Sequence, residues 1–178
     1  MRKYCLSLLL LLLTLVSNAV EPPKREIRGV WLTTVYGLDW PHNPATTETG
    51  QKAQQRDVCD ILDRLQDANF NTVFLQVRMR GDVIWRSAIE PASKIFSGKY
   101  GMMPGYDPLA FVVDECHKRG MECHAWFVTF PLGTDKSVIE QGKLSVVRRQ
   151  PKLCMRHNGE WYLDPGVPGT SDYVLSLV

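Results

Sequence analysis

At 178 residues, 44% hydrophobic and 22% charged, the chain is long enough for one domain with a sizeable core, and its composition excludes a disordered, collagenous or coiled-coil protein. It carries 21 Lys and Arg against 19 Asp and Glu, and losing the predicted leader with Arg2 and Lys3 leaves 19 of each sign. A polyanion-binding protein normally shows a basic excess, so nucleic acid is not an expected partner.

The first residues, MRKYCLSLLLLLLTLVSNAV, have a basic start, an apolar run over 6–16 and small residues at Ser17 and Ala19. That is the plan of a secretory signal peptide, with an apolar core too short for a comfortable membrane span; the competing reading is an uncleaved anchor. Residues 1–19 are therefore read as a signal peptide and 20–26 as a leader. The expected product is exported, periplasmic or extracellular, without a membrane span after cleavage. Cys5 precedes the apolar run and is not placed like a lipid-modified cysteine. Cys59, Cys116, Cys123 and Cys154 remain, and unpaired core thiols are expected in preference to a disulfide scaffold, which belongs to smaller, cysteine-dense chains.

Residues 27–35, IRGVWLTTV, read as a strand, and 37–50 as a loop rich in Pro, Thr and Asn. Over 51–69 the apolar positions Val58, Ile61, Leu62 and Leu65 recur at helical spacing. NTVFLQVRMR, 71–80, is a second strand, and 79–106 holds too many Gly and Pro for regular structure. A helix follows with Asp107 as N-cap, Pro108 at its first position, basic residues in its last turn and Gly120 as its stop. MECHAWFVTF, 121–130, is a third strand, a hairpin turns at Asn158-Gly159, and TSDYVLSLV opens a further helix.

This βα rhythm fits a doubly wound sheet or a (β/α)8 barrel. Alternation of side chains places Gly29, Trp31 and Thr33, then Phe74, Gln76 and Arg78, then Glu122, His124 and Trp126, on one face of their strands. The opposite face is aliphatic or small. Helices on both sides would bury Gln76, Arg78 and His124 at a cost of about 2–7 kcal/mol per unsatisfied group, whereas a barrel mouth accommodates them. The favoured fold is α/β, a (β/α)8 TIM barrel. Complete barrels need roughly 250 residues, so 27–178 is expected to hold about three β/α units of a truncated barrel. The open sheet edge predicts an aggregation-prone fragment; a complete small three-stranded domain is the alternative.

Trp31, Trp40, Trp126 and Trp85 offer aromatic platforms for sugar rings, and Gln76, Arg78, Asp82 and His124 offer hydrogen bonds to hydroxyls and carboxylates. Trp31 reads equally well as core, whereas Trp40, before Pro41 in a loop, is expected to face a ligand. RGVWLTTVYGLDWP (28–41), NTVFLQVRMRGD (71–82), PGYDPLAFVVDECHKRGMECHAWF (104–127) and YLDPG (162–166) together resemble glycosyl-hydrolase-like family 10, exported bacterial barrel proteins. The resemblance implies a (β/α)8 barrel and glycoside hydrolysis, in some members of peptidoglycan glycan strands, without a cofactor. It also assigns Asp39 and Trp40 to a first-loop motif, Gln76, Arg78, Gly81 and Asp82 to the second strand, and His124 and Trp126 to the third. FVTFPLG departs from the family's usual continuation of that third motif, and EPAS departs from a more usual Pro-Trp-Ser. The family's Asp-Asp-Tyr motif would fall beyond residue 178. Since glycoside hydrolysis ordinarily uses two carboxyl groups, the chain is expected to be silent alone.

The candidate glycan-binding residues are thus Trp40, Gln76, Arg78, Asp82, His124 and Trp126. The catalytic residues are left unassigned, with Asp39 the candidate acid, although Asp39 serves equally well as a turn cap. Asp82 is expected to pair with Arg78 and fix its fork. Glu122 lies at the stability end of its strand, Asp164 in a turn, and His117 in the last turn of a helix. No metal is expected: Cys116, His117, Cys123 and His124 match no standard zinc spacing, and alternation sends Cys123 and His124 to opposite faces. A non-catalytic carbohydrate-binding barrel is the competing function, and a nucleotide-handling barrel lacks a Gly-rich phosphate loop.

Overall fold

The computed structural model describes residues 26–178; the signal-peptide reading and nearly all of the leader lie outside them. β1 (Gly29–Leu32), β2 (Thr72–Arg78) and β3 (Glu122–Phe127) form one parallel sheet in that order, with Trp31 opposite Phe74 and Phe74 opposite His124. The first and third strands are shorter than the sequence predicts. β1 stops at Leu32 because the next backbone N–H groups are taken by side chains, as described below.

α1 (Glu48–Asp67) begins three residues earlier than its apolar pattern suggests, because the Thr47 hydroxyl accepts from Gly50 N and caps it there. The loop after β2 contains one helical turn, α2 (Lys94–Ser97), capped by Ser93 and stopped by left-handed Gly98. α3 (Pro108–Lys118) starts as expected, with the Asp107 carboxylate accepting from Ala110 N at 3.0 Å.

Val73, Leu75 and Val77 of β2 are completely buried, packed with Val58 and Leu62 of α1 and with Val112 and Cys116 of α3. Burying each such aliphatic side chain contributes about 1.5–3 kcal/mol. Both helices pack into this one cluster, so they cover the same face of the sheet. The four cysteines among the described residues are free thiols, Cys116 buried and the others half-buried.

After β3 the chain leaves the sheet. β4 (Pro131–Thr134), β5 (Cys154–His157) and β6 (Glu160–Leu163) form a small antiparallel sheet with β6 in the middle. The predicted hairpin is the β5–β6 connection, with Asn158 and Gly159 both at positive φ. Between β4 and β5 lie α4 (Asp135–Gln141), a 3-10 turn (Gly142–Leu144) and α5 (Val146–Arg149). Leu132, Val138, Val146, Val147 and Leu163 make a second, smaller core. α6 (Thr170–Leu175) follows. Among the described residues no helix is long and apolar enough to cross a membrane.

Candidate functional site

The uncovered face of the parallel sheet is aromatic. The Trp31 ring stacks on Phe74 with centroids 4.8 Å apart and meets Trp126 edge-on at 4.9 Å, while His124 lies 5.5 Å from Phe74. Trp31 remains 59% exposed. The alternation that sends the aliphatic residues to the helices therefore gathers four rings on the other side. His124 is set mid-strand opposite Phe74, not at the strand end, and its Nε2 lies 2.9 Å from Glu122 Oε2. Glu122, read as remote from any site, thus orients its neighbour.

Two residues expected to meet substrate instead organise the strand ends. Gln76 Oε1 accepts from Thr33 Oγ1 at 2.8 Å, Thr34 N at 2.9 Å and Val35 N at 2.8 Å. The amide fixes the turn that ends β1 (Val35–Gly37), and its acceptor oxygen is fully occupied. Arg78 is buried. Its Nε and Nη2 donate to the two oxygens of Glu90, each at 2.7 Å, and its Nη1 donates to the carbonyls of Val128 and Thr129 at 2.5 and 2.8 Å. The Tyr173 hydroxyl of α6 donates to Glu90 Oε1 at 2.9 Å. The expected partner of Arg78 was Asp82; the actual one is Glu90, which reaches Arg78 bidentately. A buried guanidinium demands such a partner. The sequence held the clue, since Glu90 of EPAS is the one acid between residues 83 and 106.

Asp82 is buried on its own account. It accepts from Arg80 N at 3.3 Å and lies beside Ser93, and burial pushes its carboxyl up to about 6. It faces a cavity of about 90 Å³ lined also by Tyr36, Arg80, Lys94 and Tyr100. Each cation lies 5.2 Å over a tyrosine ring, Arg80 on Tyr36 and Lys94 on Tyr100.

The expectation that Trp40 faces a ligand is corrected. Its side chain is completely buried, edge-on to Phe96 at 4.9 Å, with Nε1 donating to the Gln54 carbonyl at 2.8 Å. The large apolar ring gains more in the core than in the loop it belongs to, and the buried N–H finds its acceptor there. Asp39 Oδ2 accepts from Thr33 N at 2.8 Å, which is the turn-capping role. The site residues that the structure brings together on one open surface are therefore His124 and Trp126, joined by Trp31 and Phe74.

Residues 26–178 match the family described as glycosyl hydrolase-like 10. The chain belongs to that family. It is similar to the glycosyl hydrolase DigH of Escherichia coli strain K12, 38% identical over 171 residues, which covers 89% of this chain and 39% of the relative. It is also similar to the glycosyl hydrolase YngK of Bacillus subtilis strain 168, 33% identical over 154 residues, covering 85% of this chain and 29% of the relative. This glycosyl hydrolase-like 10 chain thus spans well under half the length of either.

Proposed function

We propose that these residues form the first three β/α units of an exported (β/α)8 barrel that acts on a polysaccharide, with peptidoglycan glycan strands as the substrate. The observation that carries the proposal is the division of the sheet: both helices lie on one face, and the other presents Trp31, Phe74, His124 and Trp126. A doubly wound sheet has helices on both faces, whereas a barrel has them only outside. Aromatic faces also suit the apolar faces of sugar rings.

In this reading the 178 residues hold glycan and do not cleave it. Of the carboxyls near the strand ends, Glu90 is neutralised by Arg78 and Asp39 caps a turn, which leaves Asp82 without the second carboxyl that hydrolysis ordinarily uses. The non-catalytic alternative is favoured by the same observation and differs in what the rest of the full-length protein supplies. Incubating the chain with insoluble peptidoglycan stripped of its peptides, then pelleting, tests both. Retention without new reducing ends is expected. Release of reducing ends overturns the silence, and absence of retention on any glycan overturns the binding. Export is tested by fusing residues 1–26 to a phosphatase that is active only outside the cytoplasm.

A further inference from the structure

Two cysteines meet where α3 turns back into β3. Cys116 lies in the last turn of α3 and is completely buried; Cys123 is the second residue of β3 and is half-buried. Between them Gly120 takes a positive φ of 68°, and Met121 N donates to the Cys116 carbonyl at 3.0 Å, which folds the strand back against the helix. Cys123 stands opposite Val73 in the register and so shares the helix-covered face of the sheet, where it packs against the core that contains Cys116. A concavity of about 500 Å³, lined by His117, Gly120 and Cys123 among others, opens on the same junction. The pair therefore has one sulfur in the core and one near solvent.

The two thiols also differ in acidity. Hydrogen bonding with Cys116 holds the Cys123 thiol below its ordinary range, and the same bond together with burial pushes Cys116 up. Burial and the Glu115 carboxylate raise Cys59, and burial pushes Cys154 up to about 11. The thiolate is the nucleophile in thiol–disulfide exchange, so of the four described cysteines Cys123 is the one poised to react. Its resolving partner is already beside it.

We propose that Cys116 and Cys123 form a disulfide that staples the end of α3 to β3. The oxidant is a disulfide-bearing molecule, glutathione disulfide or a dithiol–disulfide oxidoreductase, of the kind an exported chain meets. The Cys123 thiolate attacks one oxidant sulfur, and the other leaves as a thiolate. Cys116 then gives up its proton, and its sulfur attacks Cys123 in the mixed disulfide and expels the second oxidant thiolate. Two electrons pass from the cysteines to the oxidant, whose two sulfurs take up the two protons. The structure holds the reduced pair. Among the described residues β3 is an edge strand paired with β2 alone, and it carries His124 and Trp126 on its other face. The bond fixes that edge strand to α3 from the covered side, and it forms whether or not the chain binds glycan.

Oxidation of the full chain with glutathione disulfide tests it, followed by blocking of the remaining thiols in denaturant, tryptic digestion and mass spectrometry. The peptides 100–118 and 120–136 are expected to be joined, lighter by two hydrogens than their sum. They should stay joined in about a tenfold excess of reduced glutathione, as a structural disulfide does. Closing a loop of about eight residues is expected to raise the melting temperature of the oxidised chain over the reduced one by about 5 °C or more. Cys123→Ala abolishes that redox-dependent rise, whereas Cys59→Ala and Cys154→Ala keep it. The peptide mapping uses the unsubstituted chain and stands even if a variant is unstable. Five results overturn the staple: both thiols blocked after oxidation, glutathione retained on Cys123 with Cys116 free, a bond from either to another cysteine, joining only in denaturant, or an unchanged melting temperature. None of them bears on glycan retention, so the two readings fail separately.

Discussion

Alternate residues of the same three strands build two unlike faces. Val73, Leu75 and Val77 are sealed under α1 and α3, while Trp31, opposite Phe74 in the register, keeps 59% of its surface exposed. The helix-covered face can be made of interchangeable aliphatics because it needs only volume and dryness. The open face carries rings that expose apolar surface to water, an arrangement that stability alone does not favour. The polar groups at the strand ends divide differently from either face. Arg78 is buried and paired, Gln76 is buried with its carbonyl oxygen engaged, and both hold the framework on which the aromatic face rests.

The comparison breaks most sharply at Arg78. Arg78→Met leaves Glu90 buried without its partner and is expected to destabilise the chain by about 3–5 kcal/mol in denaturant unfolding. The double variant Arg78→Met with Glu90→Leu should recover much of that loss; no recovery would mean that the pair is not the clamp described. Leu62→Ala, on the helix-covered face, is expected to cost about 2–5 kcal/mol by leaving a cavity.

Asp82 acts in the opposite sense. Its folded-state pKa of about 6 stands above the ordinary 3.8, so the folded protein holds its proton more tightly than the unfolded chain does. Its contribution to stability is therefore fully present below pH 3.8 and is lost as pH rises toward about 6. Asp82→Asn keeps an acceptor for Arg80 N and removes the titration. It should stabilise the protein at pH 7 by up to about 3 kcal/mol and flatten the pH dependence of unfolding between those values. An unchanged pH profile would place the titrating group elsewhere. The smallest stability change is expected on the open face: Trp31→Ala should alter unfolding by about 1 kcal/mol or less while sharply reducing retention on insoluble glycan. If retention survives, the rings are not the platform.

Much of the framework was legible along the chain because its signals are local. Asp107-Pro108 announces α3 within a single turn of helix, Asn158-Gly159 announces a hairpin, and a period of two sorts Val73 from Phe74. The site was less legible because a polar residue in a strand declares that it needs partners and not where they are. Gln76 finds them more than 40 residues away, at Thr33, Thr34 and Val35. Arg78 finds Glu90 in a loop whose Gly and Pro content conceals a fixed geometry, and Trp40 leaves its loop for the core. The second sheet, the antiparallel one, was half visible: β4 pairs with a strand almost 30 residues later, a contact that no short window contains.

The hydrogen bond from Tyr173 to Glu90 joins residues 83 positions apart. Closing a loop of that span costs more chain entropy than closing a local contact. Without α6 in place, Oε1 of Glu90 lacks its second donor and the Arg78 clamp is incompletely enclosed. The end of the second strand is thus enclosed in part by the helix at 170–175, so the dryness of the Arg78–Glu90 pair depends on a segment far along the polypeptide.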